Sequence, residues 1–406
     1  MDAPREVLIR FHEVALKGRN RPLFINALVN GVRRATEGLG VRRVWAVHLL
    51  VRMVLEPEAS WEAVRQQLAT VSGVAKFSLA HRVCTSYEAI EPLVLALAEE
   101  LRPASFRISA HRADKRFPLT SRELNIRLGA AVQVRSGIPV DLTSPALDVH
   151  VEVLPREVFV YIHEEPGPGG LPVGTGGRTV CLMSGGIDSP VAAWRMVHRG
   201  CLATLVHFHS FPLVEGSSRE KAKELAEILT RYQYDSRLYL VPFADLQKRV
   251  ILSVPGPLRV VAYRRFMLRI AEAIAKQEGA TALVTGESLG QVSSQTLQNM
   301  ATIEQAVAMP VLRPLVGMDK QEIIDQAQRL GTYETSILPD EDCCTLFVPR
   351  SPATRVHVAH VEPLEATLDV AGLVSQAVAN AEVVDYHHPS PKRFAQPVVA
   401  PAHRRV

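Results

Sequence analysis

The chain has 406 residues, enough for two or three domains of the usual size of about 100 to 200 residues, and its net charge of +4 is too small to identify a polyanionic partner. Hydrophobic residues make up 47% and charged residues 22%, which excludes an intrinsically disordered protein, and no apolar run approaches the roughly 18 to 20 residues of a transmembrane helix. The N-terminus lacks a signal-peptide pattern and the five cysteines lack CxxC spacing, so we expect a cytoplasmic chain without membrane attachment, disulfide framework or resident metal site.

Short apolar runs alternate with amphipathic stretches in the first part of the chain. Residues 44–56 and 147–162 are typical of strands, and residues 88–101 are typical of a helix. This alternation predicts two small α+β units, over residues 1–60 and 61–165.

A basic patch lies inside the second of these units. Residues 102–135 carry eight Arg or Lys against Asp114 and Glu123, a local charge of 8 − 2 = +6. The patch is either a solvated charged face or a surface for a nucleic acid. As a nucleic-acid surface it would contact phosphates through Arg112, Lys115, Arg116, Arg122 and Arg127.

A change of pattern follows residues 166–177, which are rich in Gly and Pro and are predicted to form a linker. Over residues 178–385, strand-like and helix-like segments alternate, which predicts a doubly wound parallel sheet. Such sheets bind ligands at the carboxyl ends of their strands. The loops after Met183, His207 and Thr285 are therefore candidate ligand-binding loops.

The segment TVCLMSGGIDSPVAAW (179–194) places two glycines between a predicted strand and a predicted helix. Pro190 is expected to be the first helical residue and Ser189 its N-cap. Gly185 and Gly186 allow the backbone to approach an anion closely, and the helix start offers N–H groups and the positive end of its dipole. A phosphate chain fits this site, although a plain strand-to-helix turn needs the same residues. A Walker A pattern, GxxxxGK[ST], is absent.

The string SGGIDSP resembles the pyrophosphatase loop of the PP-loop ATPases, which cleave ATP between the α and β phosphates to adenylate an oxygen. In the same order along the chain, HFHS, YRRFMLRIAE, TGESLGQVSSQT and EDCCTLFVP resemble segments of the tRNA 4-thiouridine synthetases, and HRADKRFPLTSRELNIRLGAAV (111–132) resembles the signature of the THUMP RNA-binding domain. The resemblance implies a ferredoxin-like segment over 1–60, a THUMP domain over 61–165 and an adenylating domain over 178–385. It also implies that ATP and Mg²⁺ take part.

The activity implied by this resemblance is sulfur transfer to tRNA. The uridine at position eight would be adenylated on O4, and a persulfide-derived sulfur would replace that oxygen to give 4-thiouridine. The rhodanese domain of longer family members has no counterpart after Cys344, so the resemblance implies that a cysteine desulfurase or a separate persulfide-carrying sulfurtransferase supplies the sulfur. A homodimer is compatible with the sequence. Residues 386–406, rich in Pro and basic residues, are expected to form a flexible tail.

Two other functions are open from the sequence. A PP-loop ligase or amidotransferase would adenylate a small molecule and would release pyrophosphate without RNA. An RNA-binding protein with a decayed ATP site would have lost ATP binding, which the intact SGGIDSP and Arg264 argue against.

Residues that contact the nucleotide are assigned by the resemblance, with support from local patterns in some cases. Arg264 falls on the apolar stripe of the helix predicted over 258–278, so it pairs with a carboxylate or binds a ligand phosphate. Arg265, about 100° further round the helix, is expected to face solvent or RNA. Asp188 either orients Mg²⁺ or assists capping. The full set is Leu182, Met183, Ser184, Gly185, Gly186, Asp188, Ser189, His207, Phe208, Arg264, Gly286 and Gln295.

The adjacent cysteines Cys343 and Cys344 lie in a polar segment, where core packing does not explain them. The resemblance implies that a cysteine here receives or resolves a persulfide, and Cys344 is the candidate, with Cys343 as the alternative. The neighbouring acids Glu341 and Asp342 would raise a thiol pKa, opposite to what a nucleophile needs. A zinc site with His357 and His360 is a further alternative. The remaining cysteines are expected to be buried: Cys84, Cys181 and Cys201.

Overall fold

The computed structural model describes residues 3–213, 216–339 and 352–388, and it divides into two compact units, Met1–Gly170 and Leu171–Val406. Each unit contains one β-sheet with helices packed against it. No helix among the described residues has the length and apolarity needed to cross a membrane.

The first unit is built on an eight-stranded sheet with the strand order β2-β3-β1-β4-β7-β6-β5, in which β8 also pairs with β4. Neighbouring strands are antiparallel except for β5 and β6, which are parallel. The elements are β1 Glu6–Arg10, α1 Arg21–Ala35, β2 Val41–Val47, β3 Leu50–Leu55, α2 Trp61–Leu68, β4 Lys76–Val83, α3 Tyr87–Leu101, β5 Phe106–Arg112, α4 Ser121–Ser136, β6 Leu147–Leu154, β7 Glu157–Tyr161 and β8 Glu165–Pro166.

Strand β6 shows how the sequence pattern produces this unit. Its residues alternate between apolar and polar, and every second side chain, beginning with Leu147, is buried against α3 and α4. Helix α4 begins at a capping box, in which the side chains of Thr120 and Glu123 bond to each other's backbone N–H groups. The apolar side of α4, with Leu124, Leu128 and Val132, packs against the sheet.

The second unit contains a six-stranded sheet with the order β13-β12-β9-β10-β11-β14. The first five strands are parallel and β14 is antiparallel, which confirms the predicted doubly wound sheet and adds an antiparallel edge strand. The elements are β9 Arg178–Met183, α5 Asp188–His198, β10 Leu202–His209, α6 Ser217–Gln233, β11 Asp235–Pro242, α7 Ala244–Ser253, α8 Arg259–Glu278, β12 Ala282–Val284, α9 Leu297–Glu304, β13 Val311–Leu312, α10 Lys320–Leu330, α11 Tyr333–Ser336, α12 Val358–Glu365, α13 Val370–Ala379 and β14 Glu382–His387.

Helices cover both faces of this sheet, so its parallel strands are apolar on both sides. One apolar cluster includes the side chains of Val180 and Val206 together with α8, and the other includes Cys181 and Leu205 together with α5, α6 and α10. The strand order reverses at β9, which has β10 on one side and β12 on the other. The chain continues from β9 to β10 on one side and from β12 to β13 on the other side. A crevice is therefore expected between the carboxyl ends of β9 and β12.

Candidate active site

A pocket of about 200 Å³ lies at the carboxyl ends of β9 and β12, where the strand order reverses. Nine of the predicted nucleotide-binding residues line it: Leu182, Met183, Ser184, Asp188, Ser189, Phe208, Arg264, Gly286 and Gln295. Five more lining residues were not predicted: Met267, Thr285, Glu287, Gln291 and Val292. All of these except Met267 belong to the polar segment after β12, and the polar composition of that segment could have marked it as a binding segment in the sequence.

The loop between β9 and α5 is folded by two serine hydroxyls. The Ser184 N–H donates to Ser189 Oγ at 2.9 Å, Ser189 Oγ donates back to the Ser184 carbonyl at 3.2 Å, and the Gly186 N–H donates to Ser184 Oγ at 3.2 Å. The prediction that Ser189 is the N-cap is wrong, because α5 already begins at Asp188 and the Ser189 hydroxyl is engaged with Ser184. The first turn of α5 nevertheless faces the pocket.

Asp188 forms an ion pair at the mouth of this loop. Its carboxylate accepts from Lys320 Nζ at 2.6 Å and from Gln291 Nε2 at 3.0 Å. The Asp188 side chain is 19% exposed, so the pair lies at the pocket edge and not in the core. Lys320 is the first residue of α10, and no sequence motif indicated that it belongs to the site.

Gly286 brings the segment after β12 into backbone contact with α5. A Cβ atom at this position would lie 2.8 Å from both the Cα and the N of Ser189 and 3.0 Å from the carbonyl carbon of Asp188. These are backbone atoms at a helix start, so they cannot move aside as a flexible side chain does. Only glycine fits this contact.

Glu287 is a buried carboxylate beside Arg264. It accepts hydrogen bonds from Thr285 Oγ1 at 3.0 Å and from Arg313 Nε at 2.8 Å, and its other oxygen lies 3.9 Å from Arg264 Nη1. Arg313 also bonds to Glu304 at 2.5 Å. Arg264 therefore has a carboxylate neighbour and also lines the pocket, so both roles considered from the sequence are compatible with its position.

Arg265 corrects a prediction from helical periodicity. It was expected to face solvent or RNA, but its side chain is 1% exposed and forms two hydrogen bonds with Glu365, at 2.9 and 3.0 Å. A third bond at 2.5 Å reaches the carbonyl of Thr302. The prediction failed because α8 packs against α7, α9 and α13 as well as the sheet, so the face assigned to solvent is covered.

Three predicted nucleotide-binding residues do not line the pocket: Gly185, Gly186 and His207. The two glycines lie within the loop itself. His207 is buried, and its Nδ1 lies 3.0 Å from the Met183 carbonyl on the neighbouring strand. Gln295 does line the pocket, and its buried Oε1 has no hydrogen-bond partner within the described parts of the chain.

The five cysteines fall into three groups. Cys343 and Cys344 lie outside the described residues, as do Glu341 and Asp342. Cys181 and Cys201 are buried as expected, and burial raises the pKa of Cys181 to about 12. Cys84 is exposed, contrary to the prediction, because it follows the last residue of β4 and leaves the sheet.

The zinc alternative would combine His357 and His360 with Cys343 and Cys344, and the two cysteines lie outside the described residues. The His357 and His360 rings meet edge to face, with centroids 5.8 Å apart. Among the described residues, no group of three or more His, Cys, Asp or Glu side chains is arranged to hold a metal ion.

The basic patch of α4 and the preceding loop contains two kinds of cation. Arg112 donates to the Phe117 carbonyl at 3.0 Å and closes the loop, and Arg116 pairs with Asp114 at 2.8 Å. Hydrogen bonds from Arg116 lower the pKa of Asp114 to about 2. The other predicted residues are exposed and form no ion pair within 4.0 Å with any described residue: Lys115, Arg122 and Arg127.

Comparisons with known proteins agree with this arrangement. The family described as "Thiamine biosynthesis protein (ThiI)" matches residues 174–370, the ThiI ferredoxin-like domain matches residues 6–78, and the THUMP domain matches residues 84–163. The Probable tRNA sulfurtransferase of Thermus thermophilus is 50% identical over 381 residues, 93% of each chain. That of Moorella thermoacetica is 45% identical over 379 residues, 93% of this chain and 97% of the relative.

Solved structures show the same relationship. A crystal structure of a 4-thiouridine synthetase–RNA complex with bound ATP matches with a TM-score of 0.85 and 37% identity, over 94% of this chain and 99% of that one. PH1313 from Pyrococcus horikoshii shares the fold, with a TM-score of 0.63 and 23% identity over 80% of this chain and 99% of that one. The expected ferredoxin-like, THUMP and C-terminal α/β architecture is confirmed. The chain belongs to the tRNA sulfurtransferase family, as its SGGIDSP loop and THUMP-like segment predicted.

Proposed function

We propose that this enzyme transfers sulfur to a uridine of tRNA in an ATP-dependent reaction and produces 4-thiouridine. The observation that carries the proposal is the pocket at the strand-order reversal, which combines the SGGIDSP loop, the start of α5 and Arg264 in one place. A protein 37% identical to this chain, a 4-thiouridine synthetase, was solved with ATP and RNA.

In the proposed complex, the phosphates of ATP lie against the loop 184–189. The first turn of α5 offers N–H groups and the positive end of its dipole, and Arg264 adds a positive charge. The base lies among the apolar lining residues Leu182, Phe208 and Met267, with the Gln295 carboxamide as a hydrogen-bonding group. Met183, Ser189 and Gly286 complete these walls. Gly185 and Gly186 belong to the loop itself, and His207 supports the Met183 carbonyl from behind.

Asp188 is the residue that would hold Mg²⁺, because Mg²⁺ in nucleotide sites is bound by one or two carboxylates plus phosphate oxygens. Bound there, the ion would neutralise charge on the phosphates. Lys320 donates to the same carboxylate, so it fixes Asp188 toward the pocket edge and adds positive charge near the phosphates.

We propose that the uracil O4 of the uridine at position eight attacks the α phosphorus, so that the bond to pyrophosphate breaks and O4 becomes adenylated. The terminal sulfur of a persulfide on Cys344 then attacks C4, and AMP leaves with the original oxygen. A second thiol, for which Cys343 is a candidate, attacks the Cys344 sulfur, releases 4-thiouridine and leaves a disulfide that an external thiol reduces. A cysteine desulfurase or a separate sulfurtransferase would load the persulfide.

The function is tested with transcribed tRNA, MgATP, a cysteine desulfurase and cysteine, followed by digestion of the tRNA and mass analysis of its nucleosides. We expect 4-thiouridine with the wild-type protein. Cys344→Ser should abolish 4-thiouridine while pyrophosphate release continues, because the thiol acts after adenylation. Cys343→Ser tests the second thiol and should slow the release of 4-thiouridine from the adduct on Cys344. Loss of product in Cys343→Ser with product retained in Cys344→Ser would exchange the two roles.

The alternative function has a different signature in the same assay. A ligase or amidotransferase that adenylates a small molecule would release pyrophosphate without RNA and would form no 4-thiouridine. That result would refute the proposed function.

We also propose that the exposed cations Lys115, Arg122 and Arg127 bind tRNA phosphates. Replacing all three by Ala should weaken tRNA binding and reduce the slope of log K against log salt by about 2 to 3, since each lost phosphate contact removes roughly one counterion. Arg135→Ala, on the same helix as Arg122 and Arg127, is the control, because Arg135 is already paired with Glu99 at 2.7 Å. An unchanged salt slope in the triple variant, measured by filter binding, would remove these residues from the interface.

A further inference from the structure

The side chain of Asn299 on α9 connects two segments that are distant in sequence. It is 0% exposed, and its Nδ2 donates to the carbonyls of Ser293, at 2.7 Å, and Ala353, at 2.8 Å. Its Oδ1 accepts from the N–H of Val356 at 2.9 Å. The carboxamide therefore uses both of its N–H groups and its oxygen on backbone groups.

One end of this connection is a wall of the pocket. Ser293 begins a short 3₁₀ turn, Ser293–Gln295, which follows the pocket-lining residue Val292 and ends at the pocket-lining residue Gln295. The Ser293 carbonyl that Asn299 holds is two residues from Gln295, whose carboxamide faces the pocket. Asn299 itself does not line the pocket.

The other end is residues 353–356, which follow the cysteine-bearing residues 340–351 in the chain. Neighbouring side chains attach the same segment to α9. Thr302 Oγ1 donates to the Val356 carbonyl at 2.6 Å, and Thr296 Oγ1 donates to the Thr354 carbonyl at 2.7 Å. Among these three side chains, only Asn299 also bonds to the pocket turn.

We propose that Asn299 is a positioning residue that aligns the nucleotide-facing turn 293–295 with residues 353–356, so that occupation of the pocket steadies the segment that follows the two cysteines. The inference rests on the proposed ATP-binding function of the pocket. A buried carboxamide with every polar group bonded holds its partners in one geometry, because any displacement leaves a buried polar group unsatisfied.

The first test compares Asn299→Ala with the matched variant Thr302→Val, which removes a hydrogen bond to residue 356 but none to the pocket turn. Both variants should lower the thermal midpoint. Asn299→Ala should raise KM for ATP in pyrophosphate release about tenfold, whereas Thr302→Val should change it less than about twofold. Asn299→Ala should also lower the yield of 4-thiouridine per pyrophosphate released. Equal KM values in the two variants would overturn the proposal.

The second test follows hydrogen exchange of the peptides covering 290–296 and 352–358, with and without ATP. In the wild-type chain, ATP should slow exchange in both peptides. In Asn299→Ser, a milder replacement for use if the Ala variant does not fold, ATP should slow exchange only in peptide 290–296. The proposal fails if ATP leaves 352–358 unchanged in the wild type, or if the slowing persists in the variant. If the wild-type chain binds ATP and ATP slows exchange in both peptides, but no 4-thiouridine forms, the proposed sulfur-transfer function is refuted and the positioning role of Asn299 is not.

Discussion

Gly286→Ala is expected to reduce ATP-dependent pyrophosphate release by about 100-fold or more, because small displacements of catalytic groups have effects of this size. The new Cβ atom would lie 2.8 Å from the backbone of Ser189, closer than such atoms approach each other. Either the segment after β12 or the start of α5 must shift. Both carry groups that we assign to the nucleotide, so the pocket cannot keep its shape.

The matched control is Gly317→Ala in the same unit. Gly317 has no atom within 4 Å of the added Cβ position and does not have a positive φ, so this variant should retain wild-type activity. ATP binding by titration calorimetry and thermal unfolding would be measured for both proteins. Wild-type ATP affinity in Gly286→Ala would show that the segment moves freely and that the close contact has no role in the site.

Arg265→Met is expected to lower the free energy of unfolding by about 3 to 5 kcal/mol, the usual cost of breaking a buried ion pair from one side. Glu365 would stay buried with Arg269 as its remaining close partner, and the Thr302 carbonyl would lose a donor. Arg269→Met should cost less, since the Arg269 side chain is 19% exposed and the Arg265 side chain only 1%.

Calorimetry of the full chain would measure this loss in the transition of the second unit. The double variant Arg265→Met/Glu365→Met should recover part of the stability, because it also removes the buried carboxylate that Arg269 alone would have to compensate. A single Arg265→Met variant within about 1 kcal/mol of the wild type would contradict the assignment, since changes of that size are typical of surface sites.

The same pair predicts how stability depends on pH. Burial alone would raise the pKa of Glu365, but hydrogen bonds from Arg269 and Arg265 outweigh it and hold the pKa below its ordinary value of 4.5. A carboxylate whose pKa is lowered by folding stabilises the fold at pH values above its unfolded pKa. This contribution is lost as the pH falls through the lower, folded pKa. In Arg265→Met, acidification should reduce the free energy of unfolding by less than in the wild type, because the hydrogen bonds from Arg265 that lower the Glu365 pKa are absent.

Parts of the site that are local in sequence were predictable. A strand, two glycines and a helix start follow one another within residues 179–194, so the loop that we propose binds phosphate and its place at a strand end were visible from the string itself. The alternating strands and helices similarly predicted the parallel sheet. Helix capping was the exception, because Ser189 has a competing partner in Ser184, which its sequence position does not reveal.

Other features depended on contacts between distant residues. Lys320 is 132 positions from Asp188, and Glu365 is 100 positions from Arg265, so no local pattern relates them. Helical periodicity placed Arg265 toward solvent because it assumes that one face of a helix is uncovered. Helix α8 lies among other helices, and its charged face is therefore neutralised inside the protein.

By itself, the sequence determined the class of fold, through the local periodicity of its segments, and the family, through the resemblance of short motifs such as SGGIDSP. The tertiary structure alone decided which charges pair, that Gly286 meets the backbone of α5, and that Asn299 connects the pocket wall to residues 353–356. These arrangements follow from how β9, β12 and the surrounding helices pack, and packing depends on many residues together and not on any one segment.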